Sequence, residues 1–202
     1  MPRRNQRRST QSRYLHNRRL RANTVHCLVT GFDAFSGQEK NPTAIVAQSM
    51  PEHLRQDDMH LHVRGQVLPT ASRGGWLKLK AVIDETVERA VAVSGDDASV
   101  VILMTGVAAS REKLNLERFA LNVRDYGIPD NEGVLAVDSF VDPGEQDLLR
   151  TMLPLPVVQE RLQAAGFPSQ ISNHAGTYIC NEMYFRALSY CCLLYTSPSP
   201  RD

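Results

Sequence analysis

Apolar and polar positions along this chain keep two periods, and they alternate. Residues 25–30, opening "VHCLVTGF", form a short apolar run rich in β-branched side chains that Gly31 breaks, which predicts a first buried strand. Pro42 ahead of "TAIVAQSM" predicts a helix start, because its missing N–H would be unpaired in a first turn anyway. A second strand is read over residues 59–69, "MHLHVRGQVLP". Over residues 71–93, Trp76, Leu79, Ile83, Val87 and Ala90 recur at steps of three and four, with charged residues between them: an amphipathic helix. "SVVILMTG" reads as a third strand, buried on both faces, and "LNLERFALNV" as a fourth. "YGIPDNEG" is turn chemistry, "PVVQERLQAAG" a helix ending at Gly166, "SQISN" a strand, and residues 181–190 a last helix. This alternation predicts an α/β layered domain.

Bulk numbers add bounds. A chain of 202 residues with 42% hydrophobic content and 22% charge is expected to bury one core as a single soluble domain. No apolar run approaches the ~18–20 residues of a membrane span, and no secretory h-region opens the chain. Cys27, Cys180, Cys191 and Cys192 have no C-x-x-C spacing, which argues against a disulfide framework or zinc knuckle and for a reducing, cytoplasmic setting. The formal charge of +1 hides an asymmetry: residues 1–24 hold eight arginines and no acid, and the rest holds 15 basic against 22 acidic side chains. That Arg-rich stretch is expected to be a disordered arm, and three readings stay open for it: a solvated tail, an organelle-targeting leader or a nucleic-acid-binding arm. With Tyr14 its only aromatic, the nucleic-acid reading is the weakest.

Candidate chemistry centres on "SNHAGTYICN", residues 172–181. A cysteine opening a helix faces the positive end of the macrodipole and free backbone N–H groups, so the Cys180 thiol is expected to have a lowered pKa, and the same N–H groups suit an oxyanion. The competing reading is a small core residue. Glu117, in an apolar strand, either pairs locally with Arg118 or Arg111 or orients a catalytic imidazole. Phe32 and Phe35 flank a loop after the first strand and are either core anchors or ligand walls. His60 and His62 share a strand face without a cysteine or acidic cluster nearby, so no metal site is expected.

Taken in order, "TGFDAFSGQEKNP", "ERFALNVRDYGIPDNEG" and "SNHAGTYICN" resemble the three signatures of pyroglutamyl-peptidase I, the pyrrolidone-carboxylate peptidases, over about residues 25–190. The resemblance implies a three-layer α/β/α sandwich around a twisted mixed sheet, often a homo-dimer or tetramer, and a cysteine exopeptidase that removes N-terminal pyroglutamate from peptides without a cofactor. It implies Cys180 as nucleophile and Glu117 as the residue that orients a histidine. By the same resemblance Phe32, Phe35, Ile128, Tyr178 and Ile179 line the pyroglutamyl pocket, and Asn41 falls on the family's Asn-Pro near the site.

The chain departs from the family pattern in two places. Gly127 stands where the family commonly has an arginine, and the family's histidine lies on a strand downstream of the cysteine's helix. "CLLYTSPSPRD", residues 192–202, resembles a translated adapter tail, so residues 25–191 are expected to be a C-terminally truncated domain lacking its last strand, the histidine and a closing helix. His174 sits where the family has a small residue and is not expected to serve as base. A truncated chain would be inactive. The alternative is a non-catalytic peptide- or nucleic-acid-binding protein on the same scaffold.

Overall fold

A computed structural model of the protein describes residues 24–196. The arm expected over residues 1–24 lies outside the described residues apart from Thr24, as does the expected tail beyond residue 196. The chain gathers into two compact units. One holds the described residues through Gly31 with Thr43–Val67 and Ala81–Thr105; the other holds Phe32–Pro42, Leu68–Lys80 and the described residues from Gly106 on.

The first unit is built on a mixed sheet of β1 (Thr24–Phe32), β2 (His53–Gln56), β3 (Met59–Leu68) and β4 (Ser99–Met104), in the order β2-β3-β1-β4. β1 and β4 run parallel with Val25 opposite Ser99, while β2 and β3 form an antiparallel hairpin. Helix α1 (Pro42–Gln48) lies so close that only glycine fits beneath it: a Cβ on Gly31 would stand 2.0 Å from the Thr43 carbonyl oxygen, and one on Gly65 1.6 Å from that of Ala47. Helix α2 (Ser72–Ser94) buries Leu79, Ile83 and Ala90 of the stripe its periodicity predicts, with Val82 beside them, and leaves Trp76 and Val87 half-buried.

The second unit pairs β5 (Leu114–Glu117) with β8 (Ser169–Ser172) in parallel, and β6 (Phe119–Leu121) with β7 (Leu148–Arg150) antiparallel. Helices α3 (Leu155–Ala164) and α4 (Ile179–Thr196) complete it. Phe185 of α4 is wholly buried against Ala120 and Val141, with Leu149, Tyr184 and Leu188 packed around them.

The mixed α/β class is the one expected, and three local expectations change. "LNLERFALNV" is two strands rather than one, because the chain breaks at Arg118 and the halves join different sheets. β4 is not buried on both faces: it ends its sheet, and Leu103 is 49% exposed. The hairpin strand β2 was unforeseen, although its Asp57–Asp58 turn is legible afterwards, with Asp57 at φ 52°, a left-handed conformation that a short polar side chain tolerates. The last helix also runs past residue 190, to Thr196. Among the described residues no helix is long and apolar enough to cross a membrane.

Candidate active site

The turn before α4 sets the position of the candidate nucleophile. Gly176 takes φ +84°, which a side chain would oppose, and swings the chain into the helix. The Thr177 hydroxyl donates to the Asp125 carbonyl at 2.7 Å, and the Asp125 N–H donates back to the Thr177 carbonyl at 3.1 Å. The first helical bond runs from the Glu182 N–H to the Tyr178 carbonyl, so Cys180 is the second residue of α4. Asn181, wholly buried, donates to the carbonyls of Leu121 and Val123 and accepts from the Leu121 N–H, tying this turn to the strand that follows Glu117.

The thiol itself contradicts the expected lowering. Burial pushes the Cys180 pKa up to about 11, its own backbone N–H opposes that rise, and the Glu117 carboxylate adds to it. Desolvation outweighs the helix start, because the thiolate is an anion taken from water and set near another anion. Gly106, just beyond β4, packs on this sulfur: a Cβ there would stand 2.8 Å from Cys180 Sγ and 3.9 Å from the Phe32 ring. Thiol and ring thus meet over a glycine that the sequence reading passed over. Its signal was the position, a glycine closing an apolar strand at the end where α/β sheets bind ligands.

Phe32 is buried, while Phe35 is half-buried with its ring 6.1 Å from that of Tyr178. Tyr178 in turn meets Tyr126 edge-on at 4.9 Å and donates its hydroxyl to the Pro129 carbonyl at 3.1 Å. Its pKa is raised by burial, then by Asp130 and Cys180. Two loops are stapled beside these rings. Asp33 accepts from the Thr70 N–H at 2.7 Å and from Asn131 at 3.2 Å, Asn131 also donates to the Ala34 carbonyl, and Asn41 donates to the Asp33 carbonyl at 3.0 Å. Ile128 is exposed next to Pro129, whose carbonyl accepts from Tyr178, and Ile179 is wholly buried between Tyr178 and Cys180 in the chain. A Cβ on Gly127 would meet nothing within 4 Å.

Glu117 pairs with Arg111 at 2.5 Å through Oε1, the contact its first reading expects, and the second reading stays open. Its other oxygen, Oε2, is buried with no hydrogen-bond partner among the described residues. Arg111 also donates to the carbonyl of His174, whose Nδ1 accepts from the Gly176 N–H at 3.1 Å.

A second carboxylate, Glu182, is wholly buried two residues past the cysteine. It accepts from the Ser72 hydroxyl at 2.7 Å, from Arg186 at 2.9 Å and from the Tyr126 hydroxyl, whose pKa burial and this bond drive upward. An acid inside the apolar run "ICNEMYF" was the available signal. The ring of His62 stacks on His26 at 4.9 Å and meets His53 edge-on at 4.8 Å, and no group of three or more potential ligands among the described residues is arranged to hold a metal ion.

Comparison with known proteins places the chain. The model of the family described as pyroglutamyl peptidase matches residues 25–196. The pyrrolidone-carboxylate peptidase of Pyrococcus furiosus is 34% identical over 163 residues, 81% of this chain and 72% of that protein. Its counterpart from Thermococcus kodakarensis is 33% identical, over 80% of this chain and 71% of its own length. The solved pyrrolidone carboxyl peptidase of Thermococcus litoralis superposes with a TM-score of 0.74 at 27% identity, covering 85% of this chain and 71% of that one. With the family's model matching residues 25–196 and a relative 34% identical over most of its length, the chain belongs to the pyroglutamyl peptidase family of cysteine peptidases.

Proposed function

We propose that this protein is an exopeptidase that removes N-terminal pyroglutamate from peptides, with Cys180 as nucleophile and Glu117 as the residue that orients the general base. The observation that carries the reading is the meeting of the Cys180 thiol, the Phe32 ring and the side-chain-free Gly106. A neutral five-membered lactam asks for flat apolar walls and backbone hydrogen bonds, not for a counter-ion. Phe32, Phe35 and Tyr178 supply such walls, and Asn41 holds the Asp33 loop beside them.

The sulfur attacks the pyroglutamyl carbonyl carbon, the carbonyl π pair moves to oxygen, and the tetrahedral oxyanion collapses to a thioester as the peptide amine leaves with a proton. Water then adds to the thioester, releasing pyroglutamate and restoring the thiol. A thiol with a pKa of about 11 needs a base for the first step. We propose that this base is a histidine on a native segment that continues from residue 191 in place of residues 192–202, and that its ring N–H takes the free Oε2 of Glu117. The span of 72% of the Pyrococcus relative's length supports that reading. The free cysteines support a reducing, cytoplasmic setting.

The test compares the 202-residue chain, a C-terminally extended chain and its Cys180→Ser variant on a pyroglutamyl-aminocoumarin substrate. The extended chain is expected to turn over, the other two not. Full activity in the short chain would sink the missing-base reading, and activity in the Cys180→Ser variant would sink the nucleophile. The raised thiol pKa also favours a second reading, a peptide-binding protein that does no chemistry; stoichiometric binding of a pyroglutamyl peptide without turnover by the extended chain would establish it.

A further inference from the structure

Between β7 and the start of α3 lies a recess of about 150 Å³, lined by Arg118, Arg150, Thr151, Leu153, Pro154 and Leu155. Among the described residues, none that lines it is acidic. β6 and β7 bring both of its cations to one ring: Phe119 stands opposite Arg150 in the ladder, and the guanidinium carbons of Arg118 and Arg150 each lie 5.9 Å from the Phe119 ring centre. Neither arginine is in an ion pair among the described residues, where Arg64, Arg111 and Arg186 each have a glutamate.

Two guanidinium groups that line one recess make its potential positive and favour an anion there. Each offers a planar fork of donors suited to an oxygen pair, and charge-assisted bonds of this kind are the strong ones. The rest of the lining is aliphatic or pyrrolidine, which suits a ligand with a short hydrocarbon body better than a fully hydrated inorganic ion. We infer that this recess is a binding site for a small organic carboxylate, held by Arg118 and Arg150 and separate from the Cys180 site. Occupancy would also brace the segment that carries Glu117: Thr151 donates its N–H to the Arg118 carbonyl at 3.1 Å, and the Tyr184 hydroxyl donates to the Glu117 carbonyl at 3.1 Å.

The experiment titrates sodium propionate, inorganic phosphate or chloride into the 202-residue chain at fixed ionic strength, following the Nε–Hε resonances of the arginines by NMR. Propionate is expected to shift Arg118 and Arg150 saturably and to leave Arg64 in place. Arg150→Gln, at an exposed position, and Arg118→Gln should each weaken propionate binding about tenfold, equal to about 1.4 kcal/mol. Unchanged affinity in the folded double variant would overturn the site, as would shifts no larger than those from chloride. Tighter binding of phosphate than of propionate would overturn its assignment to a carboxylate. None of these outcomes depends on catalysis.

Discussion

Glu117 and Arg111 face each other at 2.5 Å, one at the end of β5 and the other in the loop before it, and the pair leaves one buried carboxylate oxygen without a partner. Removing the cation leaves a carboxylate that is only 19% exposed without its counter-charge. Arg111→Gln is therefore expected to destabilise the protein by about 2 kcal/mol, less than for a fully buried pair because water reaches both partners. Urea unfolding measures it, and no change in midpoint would show the pair to be incidental.

The Cys180 thiol should behave as a weak acid. With a pKa of about 11, its thiolate is roughly one part in a thousand at pH 8, and alkylation by iodoacetamide should climb about tenfold per pH unit from 7 to 10. Peptide mapping resolves it from the other cysteines. Because the folded value lies above the ordinary 9.0, the stability linked to this group is present below pH 9 and is lost as pH rises towards 11. A rate that levels off by pH 8 would contradict the burial that sets the shift.

Gly106→Ala places a methyl group 2.8 Å from the sulfur. The thiol must shift, so alkylation at pH 9 and turnover by a C-terminally extended chain should each fall tenfold or more, with stability down by about 1–3 kcal/mol. Retention of wild-type rates at both readouts would show that the sulfur has room to give. Gly65→Ala is the contrasting case: its methyl group meets the Ala47 carbonyl oxygen at 1.6 Å, backbone rather than a side-chain end, and should cost about 3 kcal/mol or more without touching the thiol.

Around Glu182 the costs should rank. Arg186→Met leaves a wholly buried carboxylate without its cation and is expected to cost about 3–5 kcal/mol, whereas Tyr126→Phe removes one bond to that carboxylate and should cost about 2 kcal/mol. Chemical denaturation of both variants tests the order. The reverse ranking would mean that the hydroxyl, not the guanidinium, keeps the charge in place.

Periodicity and punctuation made much of this molecule legible. The stripe on α2 and the turn at Gly176 follow from spacing and from glycine's backbone freedom, so the helix holding Cys180 was visible before any contact was known. Less visible was whatever depends on neighbours distant in sequence. "LNLERFALNV" gives no sign that its halves pair with β8 and β7, because an apolar strand carries no label for its partner. The thiol's pKa was misread for a related reason: a local argument counts the helix start but not the burial that other segments impose. Of the candidate pocket residues, Phe35 and Tyr178 meet ring to ring, a contact that only packing reveals because the two lie far apart in sequence.

β4 ends its sheet with no strand beyond it among the described residues, and its Leu103 is half in water. A bare row of N–H and C=O groups on an apolar strand is a template for pairing between molecules. The 202-residue chain should therefore grow turbid with concentration and time, and Leu103→Lys should keep it clear by placing charge on that edge.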